Sequence, residues 1–169
     1  TKVPTEFGPD KNLVWKLPLP QGHSSPILQG DRIYLTALRD GTLVTIAIDR
    51  GTGKILWERG APKVKTVVVD KRNNPASPSP AVEENGIYVF FPDYGLIGYD
   101  RGGTQLWAMP LGPFNNIYGM GASPVIVGDN TVVLQGSAGL DGVDSSTGKA
   151  LWSYKSGAST IPSSAVGAD

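Results

Sequence analysis

His23 stands beside Ser24 and Ser25 and is the single histidine of the 169 residues. A serine becomes a nucleophile when an adjacent imidazole takes its proton and a third group orients the base. Neighbouring residues on an extended strand, however, point to opposite faces, and no obvious orienting acid adjoins this triplet. His23 is therefore read as a structural or partner-contact residue at the mouth of a strand. Metal chemistry meets a similar obstacle. A hard cation such as calcium takes six to eight converging oxygens, and no group of Asp, Asn and Glu here has a ligand-loop spacing. Glu83 and Glu84 precede an Asn85-Gly86 turn and read as a solvated hairpin tip. Asp49, Asp100 and Asp144 precede turns in which a carboxylate caps local backbone. The absence of cysteine removes disulfides and thiolate metal sites. Gly119-Met-Gly121 leads into a strand with no Lys-Ser/Thr after it, so it is not a phosphate loop.

Charge narrows the partners. Fifteen basic and fifteen acidic residues give a formal net charge of zero, a poor electrostatic match for nucleic acid or an anionic membrane surface. Arg59, Lys63, Lys65, Lys71 and Arg72 form one small basic cluster, diluted by Glu58 and Asp70, and read as a solvated loop. No apolar run approaches the roughly 18 residues of a membrane span, and the first residues carry no signal-peptide apolar region.

The elements that would position these groups repeat. Ala47-Ile-Asp-Arg-Gly-Thr-Gly-Lys-Ile-Leu-Trp57 recurs as Gly142-Val-Asp-Ser-Ser-Thr-Gly-Lys-Ala-Leu-Trp152, with a shorter copy, Gly98-Tyr-Asp-Arg-Gly-Gly-Thr-Gln-Leu-Trp107, between them. A period of about 40 to 50 residues marks propellers and solenoids. Each unit opens on Ser-Pro (Ser25-Pro26, Ser79-Pro80, Ser123-Pro124) and holds four short β-prone runs separated by Gly, Asp or Asn turns. Proline suits the first residue of a strand. Thr-Gly supplies the positive φ of a hairpin turn in units one and three, and unit two, one residue shorter, should turn more tightly. The 22 glycines and 14 prolines are spread between apolar runs, as many short strands require. The expected fold is all-β: a β-propeller segment of three complete four-stranded antiparallel blades plus flanking strands.

The expected divisions, all within one propeller domain, are residues 1–23 with the outer strand of a preceding blade (Asn12–Trp15), a blade over 24–60, a long loop and blade over 61–110, a loop and blade over 111–155, and the inner strand of a following blade within 156–169. Three blades would leave two edges of unpaired N–H and C=O groups, so self-association is expected.

The Ala-x-Asp-x-x-Thr-Gly-Lys-x-x-Trp pattern resembles the tryptophan-docking repeat of the PQQ-type propellers, a superfamily of quinoprotein alcohol dehydrogenases and non-catalytic outer-membrane assembly propellers. Residues 13–166 keep the repeat register. The phrases Gly22-His-Ser-Ser-Pro26 and Gly112–Pro124 are similar to those of secreted bacterial PQQ-like repeat proteins. The resemblance implies that Trp15, Trp57, Trp107 and Trp152 dock each blade on its neighbour, and that the protein is periplasmic or secreted. It further implies a non-catalytic scaffold for a protein partner, with no cofactor. The alternatives are a fragment of an alcohol dehydrogenase using PQQ and calcium, or a carbohydrate- or small-ligand-binding module. The vicinal cysteines common in the dehydrogenases are absent here.

Partner-binding residues are expected where long loops leave a rigid scaffold. Two of the connections between units are extended, and both should open on one face. The candidate face comprises His23, Arg72, Asn73, Asn74, Asp93, Tyr94, Phe114, Asn115, Asn116 and Tyr118. Aromatic side chains beside Asn and Arg are suited to protein or ligand contact.

Overall fold

The computed structural model describes residues 5–62, 70, 72–112, 121–136 and 139–155. The first sheet runs β1 (Ile27–Gln29), β2 (Arg32–Arg39), β3 (Thr42–Asp49) and β4 (Ile55–Gly60), each antiparallel to the next. The second runs β5 (Ala81–Val82), β6 (Ile87–Phe91), β7 (Gly95–Tyr99) and β8 (Gln105–Pro110), and the third β9 (Val125–Val127), β10 (Thr131–Gly136), β11 (Gly139–Asp144) and β12 (Ala150–Lys155), with the same order. These are three consecutive propeller blades. The β2–β3 hairpin turns on Asp40-Gly41, both at positive φ (50° and 77°), the signature of a type I′ turn whose twist matches the strands.

A bulge recurs at one place in every blade. The register slips between Ala47 and Ile48, between Gly98 and Tyr99, and between Gly142 and Val143, opposite the outer strand just before its tryptophan. An extra residue re-aims the side chains around it. Leu56, Leu106 and Leu151 are thereby left outward and exposed, while Trp57 and Trp107 turn into the gap between blades.

The core lies between the sheets. Tyr34, Ala47 and Trp57 of blade one pack on Ile87, Val89, Phe91, Ile97 and Tyr99 of blade two. Tyr88, Phe90, Leu96 and Trp107 of blade two pack on Val132, Leu134 and Val143 of blade three. The remaining face of blade one (Leu35, Ala37, Val44, Ile46, Ile48) is covered by Trp15 and Leu17. The segment expected as an outer strand, residues 12–15, pairs with no strand among the described residues; its tryptophan docks without a ladder to carry it. The expected following strand at 161–166 lies outside the described residues.

The inner strands are laced together by the serine of each Ser-Pro pair. The Ser25 amide donates to Ser79 Oγ (2.8 Å), and the Ser79 amide donates to Ser123 Oγ (2.9 Å). The proline that follows each serine has no N–H to compete. The tighter turn of unit two is present: Gly103 N donates to Asp100 O, three residues back, whereas Gly53 and Gly148 reach four residues back to Asp49 and Asp144.

Candidate functional site

The antiparallel order sends the long β4–β5 and β8–β9 connections to the same end of the blades as the β2–β3, β6–β7 and β10–β11 hairpins. The opposite end carries the β1–β2-type turns and the Asp-containing β3–β4-type turns.

At that opposite end, each described tryptophan that meets a following blade does so in one way. Trp15 Nε1 donates to Arg50 O (2.8 Å), Trp57 Nε1 to Arg101 O (2.8 Å) and Trp107 Nε1 to Ser145 O (2.7 Å). Each ring lies over the turn glycine, Gly53, Gly103 or Gly148, where a Cβ would come within 2.6 Å of it. Trp57 also stands between Tyr34 and Tyr99, with centroids 6.0 and 5.9 Å away. The Arg59 guanidinium lies 5.8 Å from the Trp57 ring and donates to Gly103 O.

The turns are held by their aspartates. Asp49 Oδ1 accepts from Thr52 N and Oγ1, Asp100 Oδ1 from Thr104 N, and Asp144 Oδ1 from Ser146 and Thr147 through both amides and both hydroxyls. Hydrogen bonds to the ionised form hold all three carboxyls below their usual range. Asp144 falls to about 2, first through the Ser146 hydroxyl and then through Thr147. Its folded value lies below the unfolded one of about 3.9. The stabilisation is therefore complete above about pH 4 and is lost as pH falls through about 2. The midpoint of thermal unfolding, followed by calorimetry, should drop across that window. Asp144→Asn, which keeps one acceptor and no titration, should drop less steeply; parallel slopes would contradict this account.

At the long-loop end the expected face divides. His23 is exposed, and its amide donates to Ala76 O (3.0 Å). Ser24 does not serve it: Ser24 Oγ donates to Thr36 O and accepts from Thr36 N. Asn73 Oδ1 accepts from Asn74 N and Ser77 Oγ, and Asn74, buried, accepts from Ala76 N. These two amides fold the loop that presents Ala76 O and Pro78 O to Thr36 Oγ1. Arg72 is exposed and forks onto Asp70. Asp93 is half-buried. Tyr94, expected on the outside, is instead buried in the core between blades one and two. The hairpin folds back there, with Tyr94 N donating to Phe91 O and Leu111 N to Tyr94 O, so burial of the ring outweighs its availability to a partner. Phe114, Asn115, Asn116 and Tyr118 lie outside the described residues, as do Lys63, Lys65 and Lys71.

A cleft of about 410 Å³ opens at the other end, between blades two and three. Glu83, Glu84, Asn85, Tyr88, Asp129, Asn130, Ser145 and Ser146 line it. Glu83, expected in solvent, is half-buried and accepts from the Tyr88 hydroxyl. Burial, then that hydrogen bond, pushes Tyr88 up to about 12, so it remains a donor. The same place between blades one and two is filled: Arg101 pairs with Asp31 at 2.9 Å, and Arg32 donates to Arg101 O. In the aligned units Ser145 stands for Arg101 and Gly86 for Arg32. That loss of two arginines is the sequence signal for the cleft.

Among the described residues no three His, Cys, Asp or Glu side chains gather as a metal site. The repeated aspartates point their oxygens at turn amides and hydroxyls. This donor set does not fit a calcium ion holding a quinone.

Blades, bulges and docked indoles define a propeller of the quinoprotein type. Residues 7–166 match the family model PQQ_2, described as outer membrane protein assembly factor BamB, and the chain belongs to that family. None of the curated proteins matches it. Among solved structures it resembles a europium-containing methanol dehydrogenase, with TM-score 0.59 and 18% identity, over 79% of this chain and 25% of that one. It also resembles BamB from Moraxella catarrhalis, with TM-score 0.53 and 20% identity, over 75% of this chain and 34% of that one. A third resemblance is to the computationally designed Ika4 protein, with TM-score 0.54 and 16% identity, over 87% and 83% of the two chains. The chain thus spans a quarter of the dehydrogenase and a third of BamB. At these identities the likeness is one of fold.

Proposed function

We propose that this chain is part of a non-catalytic propeller scaffold that binds protein partners in the bacterial cell envelope, periplasmic or secreted, and works without PQQ or calcium. The observation that carries this reading is the employment of its polar side chains. Asp49, Asp100 and Asp144 cap turns, Ser25, Ser79 and Ser123 belong to the lacing of the inner strands, and Asn73 and Asn74 shape a loop. Groups so engaged serve rigidity, and a rigid scaffold is what positions binding loops. The family description, an assembly factor of the outer membrane, supports the compartment and a protein as partner. Zero net charge supports a protein over a nucleic acid.

The test places a photo-crosslinking residue at His23, and separately at Glu84, in cells. A scaffold gives a discrete protein adduct from at least one of these two ends. The purified chain, given PQQ, calcium and an alcohol, should reduce no dye. Dye-linked turnover, or smears without a discrete adduct at both positions, would overturn the reading.

A further inference from the structure

The two junctions between blades are built to one plan and finished differently. In both, an indole N–H fixes the register: Trp57 Nε1 donates to Arg101 O, and Trp107 Nε1 to Ser145 O. At the first junction the space beside that carbonyl holds guanidinium groups. Arg101 Nη2 donates to Asp31 Oδ1 (2.9 Å), and Arg32 donates to Arg101 O. Arg101 Nη2 also lies over Gly30, 3.9 Å from where a Cβ would stand. At the second junction, strand pairing puts Gly86 at the place of Arg32, and Glu83 and Glu84 at the places of Gln29 and Gly30. The indole bond puts Ser145 at the place of Arg101. Both guanidinium groups are gone, two carboxyl groups have come in, and blade three adds Asp129. What remains is the cleft of about 410 Å³. None of its lining residues is basic, and among the described residues none of its three acidic side chains forms an ion pair. The lining runs from Glu83 to Ser146, on two blades whose four strands are all described, so the opening belongs to this junction.

We infer that this cleft receives the guanidinium of an arginine side chain carried by a protein partner, an inference that rests on the protein-binding reading above. The seat is the one the chain itself gives to Arg101 one junction earlier. Arginine suits it better than lysine. Its planar fork carries five donors and meets acceptors on two blades at once: Glu84 of blade two and Asp129 of blade three, both exposed. Glu83 accepts from the Tyr88 hydroxyl through one oxygen and keeps the other. Leu106, 49% exposed at the edge of the cleft, offers its surface to the methylene stem of the incoming side chain. A lysine ammonium is a compact, strongly hydrated point charge without that fork. The cleft lies at the end of the blades opposite the long loops, so a partner enters it without touching the His23 face.

Nuclear magnetic resonance of the full chain tests this, with the peptide acetyl-Gly-Arg-Gly-amide as the probe. The amide signals of Asn85, Asn130, Ser145 and Ser146 should shift saturably, with Kd on the order of 1 mM. The citrulline peptide, of the same shape but without the charge, should leave them unmoved. Glu84→Gln/Asp129→Asn changes two exposed side chains, keeps the fold, and should weaken binding about fivefold. Ser145→Arg restores at this junction the residue type of Arg101; it should fill the cleft from within and abolish the shifts. Should that variant fail to fold by circular dichroism, the Glu84→Gln/Asp129→Asn variant decides alone. Unmoved amides, equal binding of the citrulline or the lysine peptide, or undiminished binding by the double variant would overturn the inference. A discrete crosslinked adduct at His23 together with no arginine response in the cleft would sink this inference and leave the scaffold reading standing.

Discussion

Trp57→Ala should lower the stability of the chain by about 3–5 kcal/mol, the range for removing a large aromatic ring from a packed core. Three losses combine. The ring leaves a cavity between Tyr34 and Tyr99. The Arg101 carbonyl loses its indole donor, and Arg59 loses the ring it lies against. Trp152→Ala provides the internal control. It has the same residue type, the same strand position and the same bulge, but a ring 44% exposed. Its expected cost is about 1 kcal/mol or less, near the range for surface substitutions. Urea unfolding followed by far-ultraviolet circular dichroism reads both. Equal losses would show that the indoles act within their own blades and not between them.

That contrast also marks how far the sequence carries. The resemblance carried by the repeated Asp, Gly and Trp implies that each indole docks on a neighbouring unit, and the four apolar runs of each unit become the four strands. Such features are legible because each unit solves one packing problem with the same residues. What escapes is set by contacts between units at non-repeating places. Asn12–Trp15 carries the docking residue, but a strand needs a ladder partner, and none stands beside it among the described residues. Tyr94 lies at a hairpin end, where alternation along the strand no longer tells inside from outside, and it is the fold-back toward Phe91 that buries it. Asn73 and Asn74 look like binding residues by type, yet their amides satisfy backbone that a long loop would leave unpaired. The serine lacing was in view as Ser-Pro, but the proline alone explains strand entry, so nothing local called for the hydroxyl. The cleft beside Glu83 required comparing units for what each lacks.

Gly103→Ala should destabilise the protein by roughly 2–5 kcal/mol, and Gly41→Ala by only about 1–2 kcal/mol. Both glycines have left-handed backbone, with φ of 81° and 77°. An alanine at either position meets the strain of a Cβ near the carbonyl, about 1–2 kcal/mol. Around Gly41 a Cβ would find nothing within 4 Å, so the strain is the whole effect. At Gly103 it would stand 2.6 Å from Cδ2 of Trp57, and a forced shift in a packed core adds about 1–3 kcal/mol. The ring also packs against Tyr34 and Tyr99 and donates to Arg101 O, so a shift of the indole disturbs contacts already made. Chemical denaturation should show the difference in midpoint with little change in slope. The double variant Trp57→Ala/Gly103→Ala decides the cause. With the indole gone, the second substitution should cost only the strain term, so the two effects should fall short of their sum. Strict additivity would mean that the glycine serves the turn alone and that contact with the indole of the preceding blade is incidental.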